Sequence, residues 1–116
     1  MNLQKGKTWI KYCEVSPSMK ISYSFSGKLW QHQAPKGGWY FISLPVDMSR
    51  EIRENFRNQE EGWGRLKASA EIDGVKWETA IWYDSKKETY LLPIKSEIRK
   101  KLKFDFVNLL EIKISI

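Results

Sequence analysis

One cysteine and one histidine in 116 residues leave little room for two kinds of chemistry. A lone Cys13 cannot form an intrachain disulfide, so the fold must close on packing, and this cysteine usage suits a reducing, cytoplasmic setting. Nothing around Cys13 marks it as an activated thiol, and an inert buried side chain is the expectation. With His32 alone, no two-histidine metal site can form within the chain, so neither metal nor cofactor is expected. Gly62-Trp63-Gly64 lacks the strand-then-helix context of a dinucleotide fingerprint. No apolar run approaches the roughly 18 residues of a membrane span, and the first residues carry no signal-peptide core, so a membrane partner is not expected. Carboxylates stand close at Glu60-Glu61 and at Glu51 with Glu54, but a solvated surface explains both pairs. No catalytic residue is assigned, and an enzyme is the least supported reading.

What is present points to sheet. Hydrophobic residues make up 41% of the chain and aromatics 14%, including six tryptophans, enough to offset the ordering entropy of one small domain. Aromatic and β-branched side chains fit pleated surfaces. The formal charge of +6 permits a polyanionic partner but also simply keeps a small domain soluble.

Residues 1–18 read as an N-terminal extension, broken by Ser16-Pro17-Ser18, with one domain over 19–116. Ile21, Tyr23, Phe25, Gly27 and Leu29 alternate against Ser22, Ser24, Ser26, Lys28 and Trp30, the period of a half-buried strand. Ala34-Pro35-Lys36-Gly37-Gly38 turns the chain into a second strand from Trp39 to Leu44. A helix follows, with Met48, Ile52 and Phe56 on its apolar stripe and Asp47 or Ser49 as its cap. A third strand, 65–73, turns at Asp73-Gly74, the strongest short hairpin signal, into a fourth over 75–83. Thr89 to Leu92 forms a fifth. A helix over 96–103 carries Ile98 and Leu102, and a last strand spans about 106–116.

The order strand, strand, helix, strand therefore occurs twice, in halves of about 19–73 and 74–116. Leu44-Pro45 followed by Ser49-Arg50-Glu51-Ile52-Arg53 matches Leu92-Pro93 followed by Ser96-Glu97-Ile98-Arg99. Proline ends each ladder and isoleucine begins each buried stripe. The expected fold is mainly β: a six-stranded antiparallel barrel with two short helices and an internal pseudo-twofold repeat, a closure that removes exposed edges.

Several ordered words carry a resemblance: Gly38-Trp39-Tyr40-Phe41-Ile42-Ser43-Leu44-Pro45, Gly62-Trp63-Gly64, Ile72-Asp73-Gly74-Val75-Lys76-Trp77-Glu78-Thr79, and Tyr90-Leu91-Leu92-Pro93-Ile94-Lys95 with Ile98-Arg99. On these the chain resembles the bacterial and archaeal domain-of-unknown-function family nineteen-oh-five, from Phe25 onward. The resemblance implies a double-split barrel, distantly similar in shape to the AbrB and MazE domains, which build theirs from two chains. The chain departs at Phe104-Asp105-Phe106, where such barrel domains usually show Gly-Asp after the helix, and at Lys87-Glu88, where family members often have glycine. The family brings no activity to any named residue.

Two binding readings remain. Lys95, Arg99, Lys100, Lys101 and Lys103 stand against Glu97 alone, a cluster that could pair with phosphates and hold nucleic acid without sequence preference. A solvated helix face is the plainer account of that cluster. Trp30 and Trp63 fall on the polar side of their patterns, and Trp39 and Trp82 interrupt alternation. Buried, they fill the barrel; exposed, Trp30, Trp63 and Trp82 would line an aromatic groove for a small ligand or a docking protein. A monomeric, non-catalytic binding module is the expectation.

Overall fold

The computed structural model describes residues 9–13, 21–32, 39–102 and 109–116, apart from the side chains of 12, 13 and 63. Strand β1 spans Trp9–Cys13, β2 Ile21–Gly27, β3 Leu29–His32 and β4 Trp39–Ser43. Helix α1 spans Val46–Phe56, and two 3₁₀ turns, Arg57–Gln59 and Gly62–Gly64, lead to β5, Arg65–Ile72. Then come β6, Val75–Asp84; β7, Thr89–Pro93; helix α2, Ser96–Leu102; and β8, Leu110–Ser115. All strands join one antiparallel sheet in the order β1-β2-β8-β5-β6-β7-β4-β3. The chain is mainly β with two helices. The Ala34–Gly38 turn, Phe104–Phe106 and Lys103 lie outside the described residues.

That order forces the sheet to curl. β2 and β3 are separated only by Lys28, yet six strand-to-strand steps lie between them in the sheet. Laid flat, six steps of about 4.8 Å would span about 29 Å. Gly27 and Leu29 can stand at most about 7 Å apart. The sheet therefore bends into a half-barrel, and its concave face becomes the core. Tyr23, Phe25 and Leu29 point into it, with Ile42, Leu66, Ala70, Ile72, Ile81, Tyr90, Leu92, Ile112 and Ile114 from the other strands.

Eight strands replace the expected six for two reasons. The strand predicted from Ile21 onward divides at Lys28, because its first part pairs with β8 and its second with β4. In addition, the segment read as an extension supplies β1, which pairs with β2 from Trp9↔Phe25 to Cys13↔Ile21. Trp9 is buried, with its ring 6.0 Å from that of Tyr23, and Lys11 Nζ lies 2.8 Å from Glu51 Oε2 on α1.

Local chemistry explains the connections. Asp73 and Gly74 both have positive φ, 49° and 81°, as a type I′ hairpin requires. Glu88, at φ 57°, occupies a left-handed position without glycine. Helix α1 starts immediately after Pro45 and has no side-chain cap. Ser49, expected as a cap, lies inside the helix, where its buried hydroxyl accepts a hydrogen bond from the Tyr90 amide of β7 at 3.0 Å. Met48, Ile52 and Phe56 face the core, as does Ile98 of α2.

One glycine is fixed by space. A Cβ on Gly27 would meet Ile42 Cγ2 at 2.8 Å and Phe25 at 3.4 Å, at the point where the bent strand crosses the core. Gly27→Ala is expected to destabilise the fold by about 1–3 kcal/mol, the usual cost of overpacking, read from urea unfolding. An unchanged midpoint would contradict this packing account.

Candidate functional site

The convex face of the sheet divides into two chemistries. Across β2, β8 and β5 its outward side chains are short or charged, and several pair across neighbouring strands. Ser22 Oγ lies 2.8 Å from Ser115 Oγ, and Ser26 donates to Glu111. Across β6, β7, β4 and β3 the outward positions are Ala80, Trp82, Leu91, Pro93, Trp39, Phe41 and Trp30. Register brings them together: Arg65↔Trp82, Trp82↔Leu91 and Ser43↔Leu91 form one row, Phe41↔Pro93 and Trp30↔Phe41 the next, and His32↔Trp39 a third. The result is an open groove of about 740 Å³, with Phe41, Ala80, Leu91 and Pro93 among its apolar lining.

Two tryptophans in this groove remain accessible, Trp39 at 64% and Trp82 at 37% of full exposure. Trp30 lies beside it and is more committed. Its Nε1 donates to Ser43 Oγ at 2.8 Å, its ring tilts against Phe41 with centroids 5.2 Å apart, and Lys87 Nζ stands 4.4 Å over it. Trp63 occupies a 3₁₀ turn, and its side chain lies outside the description. Of the three tryptophans assigned to a groove from sequence, Trp82 lines it and Trp30 flanks it. Trp39, His32 and Phe41 complete the wall. Their signal in the sequence was only that Trp39 broke the alternation.

The lining carries three cations, Arg65, Lys67 and Lys95, and one acid, Glu78. Arg65 also pairs with Glu61 and lies 5.8 Å over the Trp82 ring, while Lys67 Nζ is 3.9 Å from Glu61. These exposed pairs are weak and exchangeable. The basic cluster read from sequence is divided by the fold. Lys95 lines the groove, Lys100 and Lys101 are exposed on α2, and Arg99 stacks 3.8 Å over the Tyr40 ring. Lys103 is outside the described residues.

Three of the four clustered carboxylates, Glu51, Glu60 and Glu61, have structural partners. Glu61 holds Arg65, and Glu51 meets Lys11 and the Tyr23 hydroxyl. Glu60 accepts a hydrogen bond from the hydroxyl of fully buried Tyr90, with Arg53 at 3.6 Å. Among the described residues, no group of three His, Cys, Asp or Glu side chains could hold a metal ion. No helix there is long and apolar enough to cross a membrane.

A curled antiparallel sheet, two helices and an aromatic groove on the convex face define a small mainly β domain. The chain belongs to the family described as Domain of unknown function (DUF1905), whose model matches residues 25–114. That match begins within β2, so β1 lies outside it. A search of curated proteins finds no match.

Burial, then the hydrogen bond to Glu60 and its negative charge, raise the Tyr90 phenol well above its usual value of 10.0. The folded chain thus keeps a proton that the unfolded chain releases. The stability this adds is complete below about pH 10 and is lost progressively as pH rises above it. Tyr90→Phe is expected to be less stable at neutral pH by about 1–3 kcal/mol and to lose less stability between pH 9 and 11. Equal alkaline slopes for the two proteins in denaturant titrations would contradict the assignment.

Proposed function

We propose that the domain is a non-catalytic binding module for single-stranded nucleic acid. Bases stack in the convex groove, and phosphates meet its basic rim and the exposed lysines of α2. The observation that carries this reading is the placing of Trp39 and Trp82, both accessible, in one groove lined by Arg65, Lys67 and Lys95. A domain gains nothing for its own stability by leaving large indole surfaces in water. Stacking on aromatic rings beside cations is the usual means of holding a strand irrespective of sequence. Lys95 links the two features read from sequence, since it begins the basic cluster and also lines the groove.

The proposal extends to architecture. Counted as one bent strand, β2 with β3 neighbours both β8 and β4, which supports a six-stranded ring of the double-split type. The registers also support a duplicated half. If Leu44 corresponds to Leu92, the β4–β7 ladder maps onto itself about Ser43↔Leu91. If Glu51 corresponds to Glu97, the β5–β8 ladder maps onto itself about the identical pair Ser69↔Ser115. The two residues by which these offsets differ are the two extra residues in the first strand-to-helix bend.

A second reading has its own observation. The groove volume of about 740 Å³ falls in the range of sites for small organic ligands, and much of its lining is apolar. A labelled 15-nucleotide DNA strand of mixed sequence separates the readings by fluorescence anisotropy. Binding at low salt that weakens steeply with salt, and that falls at least tenfold in Trp39→Ala with Trp82→Ala, is expected. Absence of binding at low salt, or equal affinity in the doubly substituted protein, would overturn the nucleic-acid reading and leave the small-ligand one.

A further inference from the structure

The same groove contains a charge of the wrong sign for its proposed occupant. Glu78 stands on the outward face of β6, in line with Ala80 and Trp82, and lines the groove. Its Oε2 accepts a hydrogen bond from Ser69 Oγ at 2.8 Å, across the register pair Ser69↔Glu78. Among the described residues, no lysine or arginine lies within ion-pair distance of it, although Lys67 and Arg65 line the same groove. It is therefore an oriented carboxylate, exposed to whatever the groove holds, and it repels a phosphate backbone.

A carboxylate only accepts hydrogen bonds. Resting on the reading of the groove as a single-strand site, we infer that Glu78 selects for bases bearing an exocyclic amino group. The cytosine N4 amino group is the simplest case, since it donates to a carboxylate directly. Thymine presents two carbonyls around its single N–H, and these repel the same group. Glu78 lies about 13 Å along the strand from Trp82, so the base it meets is a different one from that stacked on the indole. Ala80, between them, is small and lies buried at the floor of the groove. Glu78 thus adds selectivity to a site whose stacking surfaces have none.

Labelled dC12 and dT12 at pH 7.5 test this with the full chain. The native protein is expected to bind dC12 about tenfold more tightly than dT12, within the discrimination of one good base contact. In Glu78→Gln and Glu78→Ala the ratio should fall towards one, with dT12 binding more tightly than in the native protein as the repulsion is removed. Equal binding of both strands by the native protein, or an unchanged preference in both variants, would overturn the role of Glu78 and leave the groove reading standing. Failure to bind either strand would overturn the groove reading itself.

Discussion

A single residue, Lys28, imposes the constraint on which the rest of this structure depends. The strand before it pairs with β8, the strand after it pairs with β4, and those partners lie far apart in the sheet order. No flat sheet can satisfy both pairings across one residue. The sheet must bend, and bending defines an inside. Gly27 stands beside this joint with almost no room for a side chain, since a Cβ there would meet Ile42 of β4 at 2.8 Å. Close approach of β4 to the bent strand and the absence of a side chain at Gly27 are one fact seen from two sides.

Once the sheet has an inside, alternation assigns each residue a fate. The concave set is aromatic and aliphatic and packs under α1 and α2. α1 is held by its apolar stripe, by the Ser49 hydroxyl at the Tyr90 amide, and by Glu51 at Lys11 and Tyr23. Adjacent carboxylates on the way into β5 also serve the fold: Glu60 anchors Tyr90, and Glu61 holds Arg65. The convex set retains freedom. On one side several serines and charges pair across neighbouring strands; on the other, indole and proline surfaces meet water with cations beside them. That contrast within one sheet is what supports the binding role proposed for the second region.

Much of the fold was legible because period-two patterning is a local property. Leu66, Ala68, Ala70 and Ile72 declare one strand, Ile112 and Ile114 another, and Asp73-Gly74 declares its turn through two positive φ values. The five residues of β1 are too few to declare a period, and only pairing with β2 makes them a strand. Ser49, like Asp47, resembles a cap because it stands beside a helix start; its partner, Tyr90, lies 41 residues away and no local pattern names it. The groove was half legible. Trp82 and Trp39 stand out in the sequence as breaks in the alternation, but Phe41, Leu91 and Pro93 become their neighbours only through the order β6-β7-β4-β3. The basic cluster was legible as a run and not as a surface, since Arg99 folds onto Tyr40 while Lys95 turns to the groove.

On the proposed reading, a nucleic-acid strand sits on the aromatic half of the convex face. Proton–nitrogen correlation spectra of the indole N–H groups report on it tryptophan by tryptophan as an unlabelled oligonucleotide is added. The Trp39 and Trp82 resonances are expected to move together with saturation, while that of buried Trp9 holds still. Saturable binding that leaves the Trp39 and Trp82 resonances in place would contradict that reading.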